Sequence, residues 1–94
     1  MKVTVRLVGT SELPTSFRGQ KEAQVNFPGN SVKDLIHHLA SGAGSKMSGI
    51  FLDEKGDVSL DLMIIVGGIA VTDSNRVNLR LKEGDLVELV SSPG

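Results

Sequence analysis

Ser31-Val32-Lys33-Asp34-Leu35-Ile36-His37-His38-Leu39-Ala40 is the stretch whose reading decides the fold. Ser31 stands where an N-cap belongs, and Asp34, three residues on, completes a variant of the capping box. Val32, Leu35, Ile36, Leu39 and Ala40 then recur at i, i+3, i+4, i+7 and i+8, the spacing of one apolar helical face. Gly42 closes the run, so the spacing predicts a single amphipathic helix beginning after Ser31.

The sequence on either side has the period of strands. Upstream, Val3, Val5 and Leu7 alternate with Lys2, Thr4 and Arg6, and Val8-Gly9 ends the pattern. Ala23, Val25 and Phe27 alternate with Glu22, Gln24 and Asn26 until Pro28-Gly29. Between these strands, Thr10 to Gln20 is a loop in which Leu13 and Phe17 read better as a lid on the core than as partner anchors. Downstream of the helix, Ser41 to Asp61 is an irregular connection anchored by Met47, Ile50, Phe51 and Leu52, with Asp53-Glu54-Lys55-Gly56 as a solvent turn. Leu62-Met63-Ile64-Ile65-Val66 is continuously apolar, as a strand covered on both faces or placed centrally would be. Gly67-Gly68 then suits a two-residue hairpin into Ile69-Ala70-Val71. Val77, Leu79 and Leu81 alternate as a further strand, and Leu86 to Val90 form the last one. One helix within this order predicts an α+β domain, a mixed sheet with the helix across one face, which suits the β-grasp arrangement. Residues 1–90 are assigned to the domain and 91–94 to a flexible tail.

The chain has 94 residues, 39% hydrophobic and 22% charged, enough for one small core. A domain this short buries only about 60 to 65% of its unfolded surface and is modestly stable. Net charge is −1 with no basic run, which argues against nucleic acid and anionic membrane surfaces as partners. The absence of cysteine excludes disulfides, iron-sulfur clusters and thiolate zinc sites and fits the reducing cytoplasm. No apolar run is long enough to span a bilayer, and the alternating N-terminus lacks the apolar block of a signal peptide.

Conventional chemistry is not evident. His37 and His38 are adjacent, about 100° apart on a helix, and so cannot share an ion as an i, i+4 pair can; a solvent-facing position is expected. Gly42-Ala43-Gly44-Ser45-Lys46 follows a helix and lacks phosphate-loop spacing. Asp53, Glu54 and Asp57 lack the order of a calcium loop. No metal, cofactor or catalytic constellation is expected, and the chain does not read as an enzyme.

The segment Leu81-Lys82-Glu83-Gly84-Asp85-Leu86-Val87-Glu88-Leu89 resembles the closing turn and strand of MoaD/ThiS-type ubiquitin-like sulfur carriers. The helix from Ser31, the linker Leu52-Asp53-Glu54-Lys55-Gly56 and the segment Ile64-Ile65-Val66-Gly67-Gly68 are similar to that family in the same order, and the long link favours its MoaD-like branch. The resemblance implies a carrier rather than a catalyst. An adenylating enzyme would activate the C-terminal glycine, here Gly94, sulfur would displace the AMP, and the thiocarboxylate would pass to an acceptor enzyme making molybdopterin or a related cofactor. Ser91, Ser92 and Pro93 would be the tail threaded into the adenylating partner, and the sheet face bearing Arg6, with Val90, would be the docking surface. The family's Gly-Gly ending is Pro93-Gly94 here, and proline fixes φ and removes an N–H. That departure leaves open a partner adapted to Pro-Gly, a chain that naturally continues, or a β-grasp interaction module with no tail chemistry.

Overall fold

The helix is built as its sequence requires. The structure, a computed structural model, describes residues 1–9, 17–42, 49–72 and 76–91. Helix α1 spans Val32–Ser41 and is capped by Ser31, whose hydroxyl accepts from the Asp34 N–H at 3.2 Å. The Asp34 carboxylate accepts in return from the N–H groups of Asn30 and Ser31, at 3.1 and 3.2 Å. A helix start leaves four backbone donors without intrahelical partners, and this box satisfies part of that need. Gly42 caps the other end, its N–H donating to His38 at 3.2 Å. Val32, Leu35, Ile36, Leu39 and Ala40 are all buried, as the periodicity predicts.

Those five side chains join the buried core on one face of a five-stranded mixed sheet. Its strands are β1 (Lys2–Val8), β2 (Glu22–Asn26), β3 (Leu62–Val66), β4 (Ile69–Ala70) and β5 (Leu86–Ser91), in the spatial order β2-β1-β5-β3-β4. β1 and β5 run parallel; the other neighbours are antiparallel. On the helix side the register aligns Val5 with Val87 and Val66, and Leu7 with Leu89 and Ile64. Phe17, Phe27 and Phe51 are buried around this core, so Phe17 is the expected lid. Leu13 and Met47 lie outside the described residues.

Two turns set the register. Gly67 and Gly68 have φ of 60° and 84°, the left-handed pair that a tight two-residue hairpin demands, and place Val66 opposite Ile69. The turn Lys82 to Asp85 closes on itself through the Asp85 carboxylate, which accepts from the Lys82 N–H at 2.8 Å. It is also docked on the start of β1: the Gly84 N–H donates to Lys2 at 2.8 Å, and the Thr4 N–H donates to Asp85 at 2.9 Å. The turn therefore feeds β5 directly alongside β1.

Four expectations need correction. The alternation Val77, Leu79, Leu81 forms no sheet strand; Arg76–Asn78 is a short 3-10 helix, and Arg80 makes an isolated bridge to Ser31. The carbonyl of Leu79 accepts from the Val32 N–H at 3.0 Å, so the orphan donors of the helix start capture this segment. Of the two readings of Leu62–Val66, placement inside the sheet holds, with strands on both sides of β3, and cover on both faces does not, since Met63 is 50% exposed. Ser91 belongs to β5, paired with Leu62, and not to a free tail. His37 and His38 are half-buried flanks of a wide apolar stripe, not solvent-facing, and the Nε2 of His37 is buried with no hydrogen-bond partner among the described residues.

Replacing Ile36 by alanine should cost about 2 to 5 kcal/mol in chemical denaturation, the usual range for a cavity at a fully buried aliphatic site. The Asp34 carboxyl is held below its ordinary value of 3.8 by the Asn30 N–H and then by the Ser31 hydroxyl and N–H. A depressed folded-state pKa contributes stability above the ordinary value that is lost as pH falls through the folded value. Asp34→Asn should therefore melt below wild type at pH 7, and the gap should close on acidification below 3.8.

Candidate functional site

The face of the sheet opposite α1 is built by the alternate residues of each strand. The register Val8 to Val90 to Met63 makes an apolar row across β1, β5 and β3. Val8 is 39% exposed and Met63 is 50% exposed, with Val90 half-buried between them. Leu60, 89% exposed, sits in the turn that leads into β3. This end of the sheet is where β5 runs out, because Ser91 pairs with Leu62, the first residue of β3.

The next row is charged. Arg6 lies opposite Glu22 on one side and Glu88 on the other. Its guanidinium donates through Nε and Nη2 to Glu22 Oε1, at 2.9 and 2.7 Å, and Nη1 stands 3.8 Å from Glu88 Oε2. The Glu22 contact above all raises the Arg6 pKa, so the side chain stays cationic at any physiological pH. One cation between two carboxylates leaves the row with one net negative charge. The same row continues into Ile65 and Ala70. The face therefore offers a partner an apolar strip at the tail end, backed by a polar row whose geometry is already fixed by its own ion pairs.

Of the residues singled out from sequence, Arg6 and Val90 are both on this face, on neighbouring rows. Ser91 closes β5, while Ser92, Pro93 and Gly94 lie outside the described residues. Val8, Met63, Glu22 and Glu88 were not singled out. Strand alternation places each of them opposite the core-facing residues, but only the cross-strand registers of β1 with β2, β1 with β5 and β3 with β5 gather them.

The alternative sites have little to offer. Asp53 is occupied as a turn-maker, its Oδ1 accepting from the N–H groups of Lys55 and Asp57 at 2.8 and 3.0 Å. Among the described residues, no group of three or more metal-ligating side chains converges, and no helix is long and apolar enough to cross a membrane. A concavity of about 280 Å³ lies between β2 and the end of α1, floored by Phe17, Val25 and Leu39. Among the described residues, His38 is the one ionisable side chain that lines it, with no second titratable group to form an acid-base pair.

No protein-family model matches the chain, and no curated protein matches it in sequence. Solved structures do match it along its whole length. The putative molybdopterin converting factor subunit 1 of Pyrococcus furiosus is 26% identical, with a TM-score of 0.64 over 100% of this chain and 99% of that one. Urm1 of Trypanosoma brucei is 22% identical, with a TM-score of 0.73 over 97% and 91% of the two chains. The Amycolatopsis orientalis BexX/CysO complex matches at 21% identity and a TM-score of 0.66, over 98% and 97%. The fold is thus the ubiquitin-like β-grasp, and these neighbours bear out the resemblance to MoaD/ThiS-type ubiquitin-like sulfur carriers.

Because the ion pairs on this face are exposed, they contribute little to stability. Arg6→Gln should leave the melting temperature within the scatter of replicate scans.

Proposed function

We propose that this protein is a sulfur carrier whose C-terminal carboxylate, at Gly94, is the reacting group. A carboxylate oxygen attacks the α-phosphate of ATP in the active site of an adenylating enzyme, giving an acyl-adenylate and pyrophosphate. A sulfide or persulfide sulfur then adds to the carbonyl carbon and AMP leaves with the bridging oxygen. Sulfide gives the thiocarboxylate directly, with sulfur in place of one oxygen; a persulfide gives an acyl disulfide, from which a second thiol displaces the thiocarboxylate by forming a disulfide with the donor's own sulfur. The acceptor is a biosynthetic enzyme that builds molybdopterin or a related sulfur-containing cofactor. The chain is substrate in each step, not catalyst. Reduced sulfur persists in a reducing compartment, which places the cycle in the cytoplasm.

The observation that carries this reading is the alignment of β5 with the apolar row. β5 is the central strand that ends toward the tail, and Val90, the penultimate residue of that strand, lies between Val8 and Met63. A partner seated on the row is therefore held directly beside Ser91, three residues before Gly94. Effective concentration then does much of the work, because docking turns capture of the tail into an intramolecular event. The likeness to a converting factor subunit and to a complex containing CysO supports the same reading.

The test is intact-mass spectrometry after incubation with ATP, a sulfide donor and an adenylating enzyme from the same source. A gain equal to one oxygen exchanged for sulfur, mapped to Gly94, is the expected result, and deletion of Gly94 should abolish it without lowering the melting temperature. Failure of the chain to react with an enzyme that modifies a Gly-Gly carrier would leave the interaction-module reading, which Pro93 favours. Met63→Asp should change stability by only about 0.5 kcal/mol, the scale of surface substitutions, while raising KM for the carrier in adenylation roughly tenfold or more.

A further inference from the structure

At the end of β1 the chain passes the end of β5 more closely than a side chain would allow. Gly9 has a φ of 80°, in the left-handed region, and a Cβ built on it would run into the backbone carbonyl oxygen of Ser91. Two independent constraints therefore fall on one residue: a backbone conformation that L side chains rarely adopt, and a backbone-to-backbone approach that any Cβ would block. Gly19, at φ of 78°, has the first constraint without the second, since a Cβ there meets nothing within 4 Å.

The position of this contact is what gives it meaning. Val8 is the last residue of β1 and lies opposite Val90; the following residues on the two strands are Gly9 and Ser91. On the other side of β5, Ser91 pairs with Leu62, where β3 begins. Both flanking strands thus run out at the level of Ser91, which becomes the last residue of β5 to have neighbours on each side. Its carbonyl belongs to the peptide unit that leads into Ser92, so whatever fixes that carbonyl fixes the direction in which the chain leaves the sheet.

We infer that Gly9 is a positioning residue for the tail: by admitting the Ser91 carbonyl against its own backbone, it sets the exit direction that presents the C-terminus to the adenylating enzyme. This rests on the carrier reading for its consequence, but not for its geometry. Any L residue at position 9 pushes the Ser91 carbonyl aside and re-aims the exit, while the docking row on the outer face stays intact. Displacements of about 1 Å are enough to cost a reaction that depends on orientation as much as a hundredfold.

The experiment compares Gly9→Ala with Gly19→Ala by two measurements. The first is the amide resonance and hydrogen exchange of Ser91 and Leu62 by NMR. The second is steady-state pyrophosphate release by the adenylating enzyme that acts on the wild-type protein. Gly9→Ala is expected to shift the Ser91 and Leu62 amides and to lower kcat roughly tenfold or more, with KM for the carrier held within about twofold, the split expected of misorientation and not of lost docking. Gly19→Ala, which carries comparable backbone strain, should leave the Ser91 amide and kcat as in wild type. Gly9→Asn keeps the Cβ but tolerates positive φ, so it reports the contact even where the alanine variant folds poorly. An unmoved Ser91 amide, or a moved one with unchanged kcat, overturns the inference, as does a fall in kcat shared equally by Gly19→Ala. Should the wild-type protein itself accept no adenylate, the carrier reading and the positioning role fall together, and the NMR comparison still decides whether Gly9 sets the geometry of Ser91.

Discussion

The parallel pairing of β1 with β5 is the constraint on which the rest of this structure depends. It joins the first strand of the chain to the last at the centre of the sheet, with Val5 opposite Val87 and Leu7 opposite Leu89, all four buried beneath α1. Parallel neighbours need a long crossover, and here that crossover is everything between them: β2, the helix, the irregular connection and the β3-β4 hairpin. The same pairing sets three of the close approaches described above. Arg6 meets Glu88, Val8 meets Val90, and Gly9 comes against Ser91 because one register puts them there.

The sheet therefore has two faces with different tasks. The inner face is aliphatic and buries Val3, Val5, Leu7, Ile64, Val87 and Leu89 in one cluster with the helix, three phenylalanines, Val58 and Leu81. The outer face pairs Arg6 with Glu22 and Glu88 and carries an exposed aliphatic row, Val8 and Met63 about Val90, at the end where β5 stops. Exposed apolar side chains singly need no explanation, but a row aligned across three strands and ending beside the chain's exit is a surface on which a partner can sit.

Local patterns made much of the fold legible in the sequence. The capping box, the i, i+3, i+4 series from Val32 to Ala40, the alternation in Lys2–Val8 and the paired glycines at 67 and 68 each carry their own geometry. The failures came where a distant group overrode a local pattern. Val77, Leu79 and Leu81 alternate like a strand, yet the unsatisfied donors at the start of α1 draw that segment to the helix end. Continuous apolarity from Leu62 to Val66 marked a strand but could not say that one face, with Met63, is left open. For the site, alternation put Arg6 on the outer face, and the family resemblance named Arg6 and Val90 together as a docking surface. Glu22, Glu88, Val8 and Met63 were not singled out, because only cross-strand register reveals which outward residues are neighbours, and register between strands some eighty residues apart leaves no local trace.

The placement of β5 has a consequence for how the molecule comes into being. The strand at the heart of the sheet is the last of the five strands to be synthesised, so β1, β2 and α1 can form only partial contacts until it arrives, and the long-range closure that completes the core waits for residues 86–91 to emerge. A chain interrupted before that point lacks its central strand and exposes the edge of β1 to solvent and proteases. Folding thus serves as an inspection of the strand itself: a molecule that has acquired a stable core is one in which translation has already passed through residues 86–91.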